Sequence, residues 1–333
     1  FSALPELQVE ITRRARVGNG ELAPFSGRYG PDLLSEVARY ALSVGEIARD
    51  LDFDLVHAHD WMTYPAGLLA ARMRGKPLVA HIHATEYDRS GEHPNPRVAG
   101  IEREGMRAAR LVIPVSHYTA GLVRKKYGID PAVIRVVHNA VSHSEQIQDW
   151  HVERGVPEPV VLFLGRVTFQ KGPDYFLEAA ARVSSVMKHV KFVVAGSGDM
   201  LPAMIERAAE LGIARQVHFT GFLRGKDVER IFALADLYVM PSVSEPFGIT
   251  PLEAMALDTP AIVSRQSGVS EVLAHALKVD FWNVEELADK ILAVLRHPVL
   301  HETLVENGRA EVRRLHWDLV GEQVLAAYRE AIA

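Results

Sequence analysis

Two carboxylates, Glu245 and Glu253, lie on either side of a short loop that contains a proline and a glycine. The apolar run before the loop, at 237–241, predicts a buried strand, and the residues after it predict a helix with Thr250 as its N-cap. Backbone N–H groups at a helix start attract phosphate, and carboxylates accept hydrogen bonds from the hydroxyls of a sugar or a ribose. This strand-loop-helix element is therefore suited to bind a nucleotide-sugar.

The same residues also allow a purely structural interpretation. Thr250 at the N-cap, Pro251 at N1 and Glu253 at N3 would form a capping box, in which Glu253 only secures the helix start. Glu245 has no comparable structural role. Because it precedes a proline, it is restricted to an extended conformation that favours an outward-pointing side chain.

Two cations occupy the loop after another predicted strand, at 160–165. Arg166 and Lys171 are positive donors for phosphate, and they suit a diphosphate leaving group whose developing charge must be stabilised. The alternative is a pair of solvated loop cations.

Two other strand ends give weaker signals. The Gly-rich turn 196–199 fits close approach of backbone to a ligand. The segment 221–223 could line a base pocket, although its Phe222 is expected to be plain packing.

Four histidines lie at the ends of the first two predicted strands. Alternation along a strand places His57 and His59 on one face, and His81 and His83 on one face. Their spacing is not one of the compact zinc motifs, so no protein metal is expected. His83, at a strand end, is best placed to hydrogen-bond a ligand, whereas His57 and His81 are interpreted as core residues.

Composition and charge bound the class of protein. The 333 residues suffice for two domains, and a hydrophobic fraction of 48% provides sizeable cores. A net charge of −5 argues against nucleic acid as the main partner. The lack of cysteine excludes disulfides and thiolate metal sites, and it fits a cytoplasmic protein. No apolar run approaches the ~20 residues that span a bilayer, and no signal peptide is recognisable.

From Leu51 onward, predicted strands alternate with predicted helices, which is typical of parallel sheets covered on both faces. The polar segment 142–159 is interpreted as a linker. We therefore predict an α/β fold with two doubly wound domains, at 1–142 and 143–317, and a last amphipathic helix at 318–333 that packs back on the first domain. Ligands of such sheets bind beyond the carboxyl ends of the strands, so the expected site is the cleft between the domains. The predicted strands are 54–59, 77–83, 111–115, 134–138, 160–165, 190–195, 216–220, 235–240 and 259–264, and the predicted helices include 31–50, 66–74 and 98–109.

The segments 165–172 and 244–253 together resemble the retaining glycosyltransferases of the GT-B fold, a family that includes glycogen synthases and sucrose-phosphate synthases. The resemblance covers the chain from about Leu55 to its end, and it implies two Rossmann-like domains that face a cleft. It also implies a role for each matching residue. Glu245 would contact the hydroxyls of the donor sugar, as would His83, and Glu253 would contact those of the ribose. Arg166 and Lys171 match the pair that binds the donor diphosphate. The implied catalytic residues are Glu245, His83, Arg166 and Lys171. The implied donor-binding residues are Gly165, Arg166, Lys171, Leu223, Glu245, Phe247, Gly248, Ile249, Thr250 and Glu253, and the implied acceptor-side residues are His59, Asp60, Glu86 and Asp88.

The implied reaction is transfer of a hexose from a nucleoside-diphosphate sugar to an acceptor hydroxyl, with retention at the anomeric carbon. The segments 57–61 and 85–93 resemble the glycogen-synthase side of the family, which points to glucose, to ADP or UDP as carrier, and to a sugar or α-glucan acceptor. The resemblance implies front-side attack, with the departing phosphate oxygen as base. It implies no cofactor and no protein metal.

The chain departs from the family pattern at its start. The family opens with a strand and a Gly-rich loop, but no such element precedes Asp54, and Gly18-Asn19-Gly20 follows no convincing strand. The chain also begins at Phe1 without methionine, as a fragment or a rebuilt sequence would. We therefore expect an incomplete first domain and reduced activity. The alternatives are a non-catalytic GT-B protein that binds nucleotide-sugar, and another GT-B enzyme such as an epimerase or phosphorylase.

Overall fold

The fold is described from a computed structural model, over residues 33–141, 155 and 157–333. These residues form two compact units, each built on a parallel sheet. The first unit holds residues 33–115, 119–137 and 322–333, and the second holds 116–118 and, within the described residues, 138–321. The segment Gly18-Asn19-Gly20 and most of the predicted linker lie outside the described residues.

The helices and strands follow the chain in an alternating order that extends across both units. In chain order they are α1 Leu33–Asp50, β1 Val56–His59, α2 Asp60–Arg74, β2 Leu78–Ile82, α3 Glu86–Ser90, α4 Pro96–Ala108, β3 Leu111–Pro114, α5 His117–Leu122, β4 Val160–Leu164, α6 Pro173–Val186, β5 Lys191–Ala195, α7 Leu201–Glu210, β6 Val217–Gly221, α8 Lys226–Leu234, β7 Leu237–Met240, α9 Thr250–Ala256, β8 Ala261–Ser264, α10 Val269–Val272, β9 Leu277–Val279, α11 Val284–Arg296, α12 Pro298–Val312 and α13 Trp317–Ile332.

The first unit has a three-stranded parallel sheet, with the order β1-β2-β3 among the described residues. All five residues of β2 are buried, because this central strand is covered on both faces. Ala58, Ala80 and Val112 join one apolar cluster with Tyr64 of α2. The hydroxyl of Tyr64 donates to the carbonyl of His81 at 3.0 Å, which fixes α2 against β2.

The second unit has a six-stranded parallel sheet with the order β6-β5-β4-β7-β8-β9. β4 and β7 pair directly, with Val161 opposite Leu237 and Leu162 opposite Tyr238. The chain therefore winds outward in one direction from β4 to β6 and in the other direction from β7 to β9. This reversal creates a topological switch point between β4 and β7, where doubly wound sheets bind ligands.

Parallel sheets are confirmed, and the structure corrects three local predictions. The predicted strand 134–138 is reduced to one bridge between Ile134 and Val112, with two backbone hydrogen bonds to β3. β9 was not predicted, because three residues are too few for a periodic signal. The helix expected at 66–74 begins six residues earlier, at Asp60. Pro65 lies within that helix and concealed its first turns in the sequence.

Candidate functional site

The loops that follow β4 and β7 meet at the switch point of the second unit. Gln170, in the loop after β4, is buried, and its side-chain amide donates to the carbonyl of Ser244 at 3.0 Å. In return, the N–H of Val243 donates to the carbonyl of Gln170 at 2.9 Å. The sequence analysis did not select Gln170. Its position between Arg166 and Lys171 was the only available signal.

Lys171 and Glu245, predicted as separate ligand contacts, form an ion pair across these two loops. The Glu245 carboxylate also accepts a hydrogen bond from the Ser242 hydroxyl at 3.3 Å. Only 7% of Glu245 is exposed. Burial places both charges in a low-dielectric environment, where an ion pair is stronger than in water. The pair therefore holds a cation and a carboxylate at fixed positions where the two loops meet.

Arg166 lies at the exposed edge of the same loop. One of its guanidinium nitrogens donates to the side-chain oxygen of Gln170 at 2.9 Å. The buried amide of Gln170 thus contacts Arg166 on one side and the loop after β7 on the other. This arrangement orients a solvent-accessible guanidinium close to Lys171.

The loop after β7 presents free backbone donors. Within the described part of the chain, the N–H groups of Phe247, Gly248 and Ile249 make no hydrogen bond. Gly248 has φ of 96°, a conformation that strongly favours glycine. Successive unpaired N–H groups suit an anion or the oxygens of a sugar.

The structure corrects the predicted helix start at this loop. Helix α9 begins at Thr250, its N-cap is Ile249, and no side chain caps it. The Thr250 side chain forms a hydrogen bond with Tyr238 instead. Glu253 therefore takes no part in a capping box, and the structural interpretation of this residue is wrong.

The carboxylate of Glu253 has no hydrogen bond or ion pair to any other described residue. Burial raises its pKa above the ordinary range. An incompletely solvated carboxylate without a partner suits a ligand that donates hydrogen bonds, such as a ribose.

The remaining residues predicted to bind the donor lie at other strand ends of this sheet. Gly165 follows β4, and its N–H donates to the carbonyl of Ala195 at 3.0 Å. Leu223 is half-buried in the loop after β6. Its neighbour Phe222 is 63% exposed, with the Arg224 guanidinium 5.1 Å from the ring centroid, so the expectation of plain packing is wrong.

In the first unit, the four histidines form one stack of imidazole rings. The Nδ1 of His81 lies 3.2 Å from Nε2 of His57, and Nδ1 of His59 lies 2.9 Å from Nε2 of His83. His81 is buried, as predicted, while His57 is only partly buried. Nδ1 of His57 also lies 2.6 Å from the hydroxyl oxygen of Tyr328 in α13. No local sequence signal connects two residues this far apart in the chain.

Burial lowers the pKa values of three histidines of this stack. Burial lowers the pKa of His57 to about 3, assisted by its neighbours His59 and His83. Burial and the same two neighbours, together with His57, lower the pKa of His81 to about 2. Burial also lowers the pKa of His59.

The predicted acceptor-side acids have structural partners. Asp88 forms a capping box with Thr85, accepting the Thr85 N–H at 2.7 Å. Glu86 is buried and accepts hydrogen bonds from the Ser90 hydroxyl at 2.9 Å and the Asn95 N–H at 3.1 Å. These contacts account for both residues locally, and a role toward an acceptor stays a prediction.

Asp60 has a different local function at the end of β1. It is a non-glycine residue with positive φ, 59°, and one of its carboxylate oxygens accepts the N–H of His83 at 2.7 Å. The Asp60 carboxylate thus fixes the backbone at His83. The structure brings His83 and Asp60 together, a contact that the sequence analysis did not predict.

Within the described residues, no helix combines the length and the apolar character that crossing a membrane requires.

Comparison with known proteins gives two matches to family models. Residues 145–311 match the model described as Glycosyl transferases group 1, and residues 6–145 match the model described as Glycosyltransferase Family 4. A curated relative, the uncharacterised glycosyltransferase MJ1607 of Methanocaldococcus jannaschii, is 30% identical over 299 residues. That alignment covers 84% of this chain and 76% of the relative.

Two solved structures share the fold. Sucrose-phosphate synthase of Thermosynechococcus elongatus superposes with a TM-score of 0.75 at 21% identity, covering 91% of this chain and 80% of the synthase. HepE of Anabaena, in complex with UDP and glucose, superposes with a TM-score of 0.73 at 22% identity, covering 92% of this chain and 84% of HepE.

Proposed function

The chain belongs to the group 1 glycosyl transferases, and we propose that it moves a hexose from a nucleoside-diphosphate sugar to an acceptor hydroxyl with retention at the anomeric carbon. The observation that carries this proposal is the junction of the two loops at the switch point. There, Lys171 forms an ion pair with the buried Glu245, Arg166 contacts Gln170 of the same loop, and three N–H groups of the loop after β7 make no hydrogen bond within the described residues. Cations beside hydroxyl acceptors suit a ligand that has both phosphates and a sugar.

The two cations stabilise the leaving group in this proposal. When the bond between the anomeric carbon and the diphosphate oxygen breaks, negative charge develops on that oxygen. Lys171 and Arg166 stabilise this charge, which is why the transfer itself needs no metal ion. Lys171 is already paired with Glu245, so it is oriented before the donor binds.

The acceptor oxygen attacks the anomeric carbon on the face from which the diphosphate leaves. The acceptor proton passes to the departing phosphate oxygen, so no protein side chain has to serve as base. Glu245 accepts hydrogen bonds from the sugar hydroxyls, and Glu253 accepts them from the ribose. The N–H groups of residues 247–249 donate to oxygens of the sugar and phosphate.

We assign His83 to the donor sugar, as the resemblance to the family implies. His59 and Asp60, together with Glu86 and Asp88, complete the proposed acceptor side. The contacts of Asp60 support a positioning role, because its carboxylate holds the backbone of His83.

We propose glucose as the transferred sugar, with UDP or ADP as the carrier. The resemblance of segments 57–61 and 85–93 to glycogen synthases supports this choice. HepE, whose fold this chain shares, was determined with UDP and glucose. A sugar or an α-glucan is the proposed acceptor.

A screen of nucleotide-sugars for donor hydrolysis tests the proposal. The full chain is incubated with UDP-, ADP- and GDP-sugars, released nucleotide is measured, and the same donors are titrated by calorimetry. We expect binding and slow release of nucleotide with one glucose donor, and faster release when an acceptor is added. Binding without release would instead identify a non-catalytic protein that binds nucleotide-sugar. A failure to bind any donor would contradict both functions.

A further inference from the structure

We propose that His57, His59 and His81 bind a divalent metal ion of the zinc class. Each residue offers one ring nitrogen, and the three nitrogens lie within 4.8 Å of one another. Imidazole nitrogen is a preferred ligand of zinc, and three histidines with one open position form a known type of site.

The strand register holds these side chains together. β1 and β2 are neighbouring parallel strands, and His59 lies opposite His81. Because side chains alternate between faces, His57 shares a face with His59. The ring centroids of His57 and His59 are 4.2 Å apart, and those of His59 and His81 are 4.9 Å apart. Ligands carried on paired strands keep their positions better than ligands carried on loops.

The distances between nitrogens fit tetrahedral coordination. Zinc–nitrogen bonds of about 2.0 Å in a tetrahedral site place neighbouring ligand nitrogens about 3.3 Å apart. The facing nitrogens of His57 and His81 are 3.2 Å apart, close to this separation. The ligand nitrogen of His59 lies within 4.8 Å of the other two.

A purely hydrogen-bonded stack leaves one buried atom unsatisfied. Nε2 of His81 has no hydrogen-bond partner, and the residue is only 5% exposed. A flip of the ring exchanges its nitrogen and carbon positions, so His81 is able to present either nitrogen to an ion. The hydrogen-bonded stack therefore satisfies only one of the two ring nitrogens of His81.

His57 already has the outer contact that is typical of a metal ligand. The Tyr328 hydroxyl lies 2.6 Å from its Nδ1, which leaves Nε2 directed to the cluster. Metal-bound histidines almost always use their second nitrogen in such a contact, which fixes the tautomer and the ring orientation. His59 is exposed, so the fourth coordination position is accessible to water.

A second group of possible ligands in the other unit serves as a contrast. His117, His138 and Glu271 also lie close together. However, Glu271 accepts the N–H groups of His117 at 2.9 Å and Tyr118 at 2.6 Å, and its carboxylate contacts Nε2 of His138 at 2.8 Å. Both carboxylate oxygens are thus engaged, and this group secures the start of α5.

Direct metal binding to the full chain tests the proposal. The metal-free protein is titrated with Zn²⁺ by calorimetry and with Co²⁺ by visible absorption, in the absence of any nucleotide-sugar. We expect one equivalent of either ion, and a Co²⁺ spectrum of tetrahedral nitrogen and oxygen ligands. His59→Gln should weaken binding by at least about 100-fold, and Tyr328→Phe should weaken it by about 10-fold.

The variants separate the proposal from a folding defect. His59 is exposed, so its replacement should leave the far-ultraviolet circular dichroism unchanged, whereas His81→Gln alters a buried position. His138→Gln is the matched control and should keep the full affinity. Absence of a stoichiometric site in the wild type, or unchanged affinity in His59→Gln, would overturn the proposal. Loss of affinity in His138→Gln alone would place the site at the other group and would also overturn it. Donor binding by the wild-type protein is measured in a separate titration, so a failure of the metal proposal and a failure of the proposed function are distinguishable.

Discussion

Two clusters of titratable groups, one in each unit, differ in charge. In the second unit, Lys171 and Glu245 are held as a charged pair at the junction of two loops. In the first unit, burial keeps the imidazoles of His57 and His81 neutral and raises the pKa of Glu102 to about 7. The carboxylate of Glu245 faces the ammonium of Lys171, whereas His57 and His81 face other imidazoles, and a charge is stable in a buried site only when an opposite charge or several donors face it. The charged pair is thus suited to a charged ligand, whereas the neutral imidazoles offer lone pairs to a hydrogen-bond donor or a metal ion.

The largest effect is expected from removing the cation of the pair. Lys171→Ala should lower turnover about 100-fold or more, because one charge-stabilising donor to the leaving group is lost. Steady-state release of nucleotide measures it. Arg182→Ala is a suitable control, because Arg182 of α6 forms an exposed ion pair with Glu285 of α11. Equal turnover in the wild type and Lys171→Ala would refute the role in diphosphate binding.

Removing the charge of the carboxylate tests the other half of the pair. Glu245→Gln keeps the shape of the side chain but weakens the hydrogen bonds to the sugar and the orientation of Lys171. We expect turnover to fall roughly 10- to 100-fold, with weaker donor binding by calorimetry. A variant with wild-type rate and wild-type donor affinity would rule out the sugar contact.

A buried acid of the first unit, Glu102, makes the stability of the protein depend on pH. Glu102 accepts the Glu86 N–H at 2.9 Å, a hydrogen bond from Tyr127 and one from Arg89 at 3.0 Å. Burial nevertheless dominates, and its folded pKa is about 7, above the 4.5 of a free side chain. The folded state therefore retains a proton that the unfolded state has lost. This contribution to stability is full below pH 4.5 and is lost as the pH rises through 7.

From this pKa shift, we expect the free energy of unfolding to fall by roughly 2 kcal/mol between pH 5 and 7.5. Glu102→Gln should remove this part of the pH dependence, whatever its effect on absolute stability. Urea unfolding of both proteins at several pH values measures the difference between the two slopes. Parallel slopes would show that Glu102 ionises with an ordinary pKa.

A smaller effect is expected at the unpaired carboxylate of the second unit. Glu253→Gln should weaken donor binding by about 10-fold through its ribose contact while leaving turnover at saturating donor nearly unchanged. Stability should not fall, because the carboxylate secures no helix start. A clear loss of thermal stability in this variant would restore the structural interpretation of Glu253.

The smallest effect is expected at the exposed ring in the loop after β6. Phe222→Ala should change the free energy of unfolding by less than about 0.5 kcal/mol, since the ring is mostly in solvent. Phe232→Ala is the matched control, because Phe232 is fully buried and should lose about 3 kcal/mol or more. Similar losses in both variants would show that Phe222 packs in solution.

Much of the fold was predictable because its signals are local. Eight of the predicted strands correspond to β1–β8, and the GT-B class implied by the loops at 165–172 and 244–253 is confirmed by the family matches and the shared fold. The missed features are those without a local signal. β9 is too short to show a period, and Pro65 within α2 resembles a helix boundary.

The candidate site was predictable in its residue types but not in its pairings. Arg166, Lys171, Glu245 and Glu253 were selected because charged residues at strand ends suit a ligand. The sequence did not indicate that Lys171 pairs with Glu245, or that buried Gln170 links the two loops. Both contacts depend on the adjacency of β4 and β7, strands far apart in the chain.

The sequence alone determined the alternation of strands and helices and the residue types at the strand ends, because both are properties of consecutive residues. Tertiary structure decided which of those residues meet. It paired Lys171 with Glu245, freed Glu253 from a helix cap, and stacked His57, His59 and His81 against one another. The physical reason is that strand order and register are set by packing over the whole sheet, and these contacts form only once the order and register exist.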